Sequence, residues 1–180
     1  PTYFICYVGI IVASATSPTY GAEALGYGLF WFGFACYLVL LGVITYRYAK
    51  HEVPEGARPL FCIYTAPMSL SLVGYLATAA DPSPLMVAVM LVLAQAFLVL
   101  VLARLPKFLA LPFYPSYAAM TFPFVITATA LSQGVAFLNG LGAGLPLALD
   151  VLVLAEMGLA IVMVGYVTVC YLQFFFKRAE

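Results

Sequence analysis

The sequence predicts an all-α integral membrane protein with six transmembrane helices in three helical hairpins. Of its 180 residues, 66% are hydrophobic and only 8% are charged, whereas a soluble domain is about 25% charged. Strict alternation of polar and apolar residues is missing, which argues against a transmembrane barrel. We therefore treat residues 1–180 as a single transmembrane domain. Most of the six apolar stretches reach the roughly 20 residues that span a bilayer as a helix, and they cover approximately 1–17, 24–46, 60–79, 84–103, 116–138 and 146–176.

The basic residues divide the connections into two classes. Those connections that lack them contain carboxylates such as Glu23 and Asp81. Since basic loops stay in the cytoplasm, the connections 47–59 and 104–115 and the C-terminus are predicted to be cytoplasmic. The odd-numbered helices then run outward. The basic residues of these connections could also draw anions to a pore mouth, although their role in setting the membrane topology is enough to explain where they lie. Every basic residue follows the second, fourth or sixth stretch: Arg47, Lys50, Arg58, Arg104, Lys107, Lys177 and Arg178.

Prolines recur in the odd-numbered stretches. Pro67 and Pro123 stand within their stretches, and Pro1 opens the first one. A proline inside a helix removes a hydrogen bond and clashes with the preceding turn, at a cost of about 3 kcal/mol. The carbonyls of Ile63 and Ala119 should therefore lose their usual donor and turn away from a lumen, or bond a hydroxyl or water. In lipid such groups are tolerated where a helix faces protein or a water-filled path, so the recurrence predicts kinked helices that wall a pathway.

Small and hydroxylated residues accompany these prolines. The even-numbered stretches are instead rich in Leu, Val, Phe and Tyr. This contrast predicts proline-kinked inner helices that alternate with straight outer helices against lipid. Ordinary helix packing also favours small residues, but the recurring prolines favour a central pathway. The candidate pore-lining residues are Gly9, Ser14, Ser69, Ser71, Thr127 and Thr129.

The predicted inner helices carry no acidic, basic or histidine side chain, whereas a cation route or proton relay usually contains intramembrane carboxylates. Hydroxyls and apolar surface bind an ion weakly, which suits conduction, but they do not determine the sign of the ion. Glu156, in the sixth stretch, is a candidate intramembrane carboxylate. A structural hydrogen bond or a subunit contact is its favoured role because its helix is an outer one, and proton coupling is the alternative.

Other classes of function lack the residues that they need. The sequence has no nucleophile–base pair, no Gly-rich phosphate loop and no cluster of metal ligands, so an enzyme, a cofactor and a metal site are not expected. The four cysteines lie in apolar stretches and are interpreted as small buried hydrophobes. A basic patch for nucleic acid is absent. A structural subunit of an assembly remains an open alternative.

Three segments resemble the tellurite-resistance/dicarboxylate transporter family, which includes TehA-type proteins and plant slow anion channels: PTYFICYVGIIVASATSP (1–18), APMSLSLVGYLA (66–77) and YAAMTFPFVITATAL (117–131). The resemblance covers essentially the whole chain, in the order of the family's last six helices. It implies ten helices in five hairpins, with inner proline-kinked helices around a pore in each subunit of a homotrimer. Because counterparts of the first four helices are missing, we expect the chain to be the C-terminal part of a ten-helix domain.

The resemblance also implies a gate. A phenylalanine on the family's ninth helix closes the pore, and the matching residue is Phe122, directly before Pro123. Without the resemblance, Phe122 would be interpreted as core packing. An aromatic ring across a narrow apolar pore blocks hydrated ions by bulk and by dewetting, and a kink beside it lets the backbone yield.

We therefore expect an anion channel of the TehA type in the lipid bilayer of a plasma membrane or bacterial inner membrane. It would pass small inorganic or dicarboxylate anions. The alternative is a proton-coupled carrier for a C4-dicarboxylate such as malate, or for sulfite or tellurite-related anions. Saturable, pH-driven uptake would favour the carrier, and ohmic currents would favour the channel.

Overall fold

The computed structural model describes residues 1–177, which form helices and connections without a strand. Five helical segments are long and apolar enough to cross a membrane, and the bent pair α1–α2 makes a sixth if it counts as one span. The predicted all-α membrane fold is thereby confirmed. The α-helices are α1 Thr2–Val8, α2 Ile11–Thr16, α3 Glu23–Lys50, α4 Ala66–Thr78, α5 Pro84–Leu102, α6 Leu105–Leu109, α7 Phe122–Gly140 and α8 Ala148–Lys177. Segments in the tighter 3₁₀ geometry cover Ser17–Tyr20, Glu55–Thr65 and Pro115–Met120.

The spans divide into inner and outer helices. In the span Glu55–Thr78, 83% of the apolar window is buried, against 22%, 33% and 22% in α3, α5 and α8. Helix α4 contacts α2, α3, α5 and α7, while α8 packs on α7 at the edge of the bundle. The even-numbered spans therefore expose apolar side chains outward, as helices that face lipid do.

Helix α2 lies in a tight space between α3 and α4. The side chain of Ile11 is fully buried and occupies the room that Gly33 of α3 and Gly74 of α4 leave. A Cβ atom at either glycine would overlap with Ile11. Ser14 Oγ donates to the carbonyl oxygen of Gly26 at 2.5 Å and so joins α2 to α3. Small residues thus let helix backbones approach closely, as is common in membranes.

The prolines mark changes of helix type. Pro67 and Pro123 are the second residues of α4 and α7, and each helix follows a 3₁₀ segment. Proline is favoured in the first turn of a helix because no intrahelical donor is lost there. The Ile63 carbonyl accepts a hydrogen bond from the N–H of Ala66. The Ile63 carbonyl thus lacks a donor at Pro67, as expected, but its partner is a backbone N–H rather than a hydroxyl or water, because the tighter 3₁₀ winding supplies a donor one residue earlier.

The first span bends by 45° between α1 and α2. The bend lies at Gly9 and Ile10, away from Pro1, which directly precedes α1. At Gly9 the carbonyl oxygen of Ile5 occupies the place where a Cβ atom would stand. Glycine is consequently the residue that this break of the helix requires.

The two basic connections meet at one end of the bundle. Tyr114 Oη donates to the carboxylate of Glu55 at 2.8 Å, and this hydrogen bond raises the pKa of Tyr114. The guanidinium of Arg104 lies 4.5 Å above the ring of Phe61. The predicted hairpin topology likewise brings these two connections to the same end of the bundle. The described residues do not include Arg178, the C-terminus or the side chain of Lys177, which the charge pattern predicts to be cytoplasmic.

Candidate functional site

A cavity of about 380 Å³, here called the groove, lies between the three inner spans. The first span contributes Phe4, Ile5, Val8, Gly9 and Val12 to its wall, the second Leu60, Ile63, Ala66, Pro67 and Leu70, and the third Pro115, Ser116, Ala118, Ala119, Phe122 and Pro123. None of these lining residues carries a charge. Such a wall repels water and offers an ion no strong binding site.

Phe122 has a special position on this wall. It is the first residue of α7 and follows Thr121, whose backbone angles of φ −103° and ψ −86° fit neither helix type. Its side chain is 47% exposed, although its neighbour Pro123 is buried. The irregular residue between the 3₁₀ segment and α7 therefore places an aromatic ring at the groove rather than in the core.

The structure brings together four of the residues that the sequence singled out. Gly9, Pro67, Phe122 and Pro123 come from three different spans and all line the groove. A fifth, Thr129, lines a separate cavity of about 550 Å³ between α7 and α8. The remaining pore-lining candidates are buried in contacts between helices, with at most 1% of each residue exposed: Ser14, Ser69, Ser71 and Thr127.

The hydroxyl protons of the candidate pore-lining residues are already bonded to backbone carbonyls, that of Ser14 across to α3 and the others locally. Ser69 and Ser71 donate to the carbonyls of Thr65 and Pro67 at 2.9 Å and 2.7 Å. Thr127 donates in the same way to its own helix at 2.9 Å. Such bonds satisfy the hydroxyl locally and bend a helix slightly. An anion needs a donated proton, and these protons serve the backbone instead.

Glu156 lies away from the groove. Its side chain, on α8, is only 4% exposed. Neither carboxylate oxygen of Glu156 has a hydrogen-bond partner among the described residues. A buried carboxylate without a partner is unfavourable when charged, so Glu156 is an unusual group within the membrane-spanning bundle.

Ser116 was missed by the reasoning from sequence. It contributes a polar side chain to a groove that is otherwise lined by apolar residues. Its Oγ is buried and has no hydrogen-bond partner among the described residues. The available signal was its position directly after Pro115, at the start of a 3₁₀ segment, because no helical turn precedes it to supply the usual backbone acceptor.

The comparisons with known proteins agree with this architecture. The family model SLAC1, described as voltage-dependent anion channel, matches residues 1–174. Neither a curated protein nor a solved structure matches the chain. The family consists of membrane channels and transporters for anions, which fits apolar spans around an uncharged groove. Because the match extends over nearly the whole sequence, the chain belongs to the voltage-dependent anion channel family.

Proposed function

We propose that the protein is a TehA-type channel that passes small anions along the groove, and that Phe122 is its gate. The observation that carries this proposal is the exposed ring of Phe122 on an apolar wall to which all three inner spans contribute. An aromatic ring in such a passage excludes hydrated ions by bulk and by dewetting. Rotation of the ring, or a shift of the irregular backbone at Thr121, would open the path.

The chemistry of the wall supports conduction rather than tight binding. The lining residues have no charge, and the hydroxyls of Ser69 and Ser71 donate to backbone carbonyls. An anion that enters meets no deep energy well and can leave again. Selection for anions would begin at the end of the bundle where the basic connections meet, because clustered positive charge raises the local anion concentration.

We also propose the assembly and orientation that the resemblance implies. Three subunits would form a homotrimer, each with its own pore, in a plasma membrane or bacterial inner membrane. The basic connections and the C-terminus would face the cytoplasm. Exposed apolar residues on the outer helices, such as Val39, Val92 and Ile161, support contact with lipid or with neighbouring subunits.

Anion flux into liposomes tests the proposal. We expect the reconstituted full-length protein to pass chloride and nitrate, and to a smaller extent malate and sulfite, without a proton gradient, because the groove offers no titratable group. Empty liposomes and potassium flux serve as controls. Equal flux of potassium and chloride would contradict anion selectivity, and uptake that saturates and requires a proton gradient would contradict the channel.

The proton-coupled carrier remains the second candidate because of one observation: the carboxylate of Glu156 is buried and has no hydrogen-bond partner among the described residues. Buried intramembrane carboxylates are often proton-transfer groups. For the channel, we expect Glu156→Gln to leave the flux and its pH dependence unchanged, since Glu156 lies outside the groove lining. Flux recorded over a range of pH values measures this. Loss of pH-driven uptake in the variant, with wild-type expression, would instead support the carrier.

A further inference from the structure

Another cavity, of about 580 Å³, lies at the end of the bundle where the basic connections meet. We call it the basic pocket. Its cations are Lys50, Arg58, Arg104 and Lys107, and its aromatic residues are Tyr48, Phe61 and Phe108. The cations come from two connections that are far apart in sequence, one after α3 and one after α5. The fold therefore concentrates positive charge that the sequence distributes.

Among the residues that the structure describes, the charges in the basic pocket do not balance. Beside its cations, the described lining contains one carboxylate, that of Glu52, and the side chain of His51. The nearby carboxylate of Glu55 accepts a hydrogen bond from Tyr114 and is not part of the lining. Like charges around one cavity repel each other, and a bound anion would relieve this repulsion.

The aromatic residues give the basic pocket an apolar floor. Phe61 and Phe108 are buried, and their ring centroids lie 6.1 Å apart. The guanidinium of Arg104 lies 4.5 Å above the Phe61 ring, which holds it over the floor. The ring restricts the positions of this exposed guanidinium, so Arg104 is held where it can bind an anion with its planar fork of donors.

We propose that the basic pocket binds a phosphate group. Guanidinium groups fit phosphate oxygens in pairs, and Arg58 and Arg104 supply two of them from opposite connections. Lys50 ends the spanning helix α3, and Arg104 follows α5 after a single residue, so the pocket lies at the depth of lipid headgroups. Basic pockets between helices on the cytoplasmic side bind anionic phospholipids in this way. A phospholipid headgroup and free inorganic phosphate share the chemistry that the pocket recognises.

Calorimetric titration of the purified full-length protein in detergent tests the proposal. The probes are short-chain phosphatidic acid, inorganic phosphate and, as a neutral control, short-chain phosphatidylcholine. We expect phosphatidic acid to bind and phosphatidylcholine not to bind. Arg104→Gln and Lys107→Gln should each weaken binding about fivefold, the effect of about one basic residue near an anionic headgroup. Arg47→Gln is the matched control, since Arg47 lines a neighbouring cavity and not the basic pocket.

The possible outcomes distinguish a lipid headgroup from free phosphate, and a specific binding site from a diffuse field of positive charge. Binding of inorganic phosphate as tightly as phosphatidic acid would identify free phosphate as the ligand, and binding of phosphatidic acid alone would identify the lipid. Absence of binding by both would overturn the proposal. An equal loss in Arg47→Gln would also overturn it, because that result indicates a diffuse field of charge. If Arg104→Gln loses its monodisperse size-exclusion peak, that variant is misfolded and Lys107→Gln tests the proposal instead. The side chain of Lys107 is exposed, so its replacement should not disturb the fold.

Discussion

Replacement of Phe122 by alanine is expected to raise anion conductance by about tenfold or more, which corresponds to a barrier lower by about 1.4 kcal/mol. The substitution removes an aromatic ring that is 47% exposed at the groove, while the backbone irregularity at Thr121 remains. Removal of the ring widens the passage and lowers the cost of wetting it. Currents across planar bilayers that contain the purified full-length protein measure the effect.

Two variants control this experiment. Phe32→Ala removes a similarly exposed ring, 54% accessible, from the outer helix α3, and should leave the current unchanged. Phe122→Leu keeps part of the bulk and should give an intermediate current. An unchanged current in Phe122→Ala, with normal expression and assembly, would reject the gate. An equal rise of the current in Phe32→Ala would show that loosened packing, rather than loss of a gate, causes the effect.

Replacement of Gly74 by alanine is expected to destabilise the protein by about 1–3 kcal/mol, the usual cost of overpacking. The added methyl group would overlap with the side chain of Ile11 and lie 3.5 Å from Ser14. Ile11 is fully buried and is also confined by Gly33, so it has no room to move. Since α2 and α4 are separated as a result, the groove between their spans should change shape and the flux should fall as well.

Gly42→Ala is the matched control for this substitution. Gly42 lies on the outer helix α3, where an added Cβ would have no described atom within 4 Å apart from the nearby backbone of its own helix. Alanine favours a helix over glycine by up to about 1 kcal/mol, so this variant should be as stable as the wild type or more so. Size-exclusion profiles after stepwise heating measure both variants. Equal melting of Gly74→Ala and wild type would refute the tight contact between α2 and α4.

Much of the fold could be predicted from sequence because the bilayer restricts the possibilities. A long apolar stretch must be a helix in lipid, since its backbone groups have no other partner. The stretch 24–46 accordingly lies within α3, and the stretch 84–103 agrees closely with α5. The bend at Gly9 was not predicted, because it depends on where the Ile5 carbonyl stands in the folded chain.

The candidate site was predictable only in part. Prolines pointed to the inner spans, and Pro67 and Pro123 do line the groove. Hydroxyl groups were a poorer guide: Ser14 bonds to the Gly26 carbonyl of a neighbouring helix, and Ser69 bonds to its own helix. A hydroxyl donates to whichever carbonyl the packing brings near, and the residue type alone does not predict which carbonyl that is.

Sequence alone determined the membrane class, the places of the spans and the end of the bundle to which each connection belongs. These properties follow from hydropathy and charge, which are read residue by residue along the chain. Tertiary structure decided which face of each span meets the groove, where the aromatic ring of Phe122 stands, and that Arg58 and Arg104 share one pocket. Helices that are apolar on every side carry no pattern that distinguishes their faces, so only contacts between distant residues could orient them.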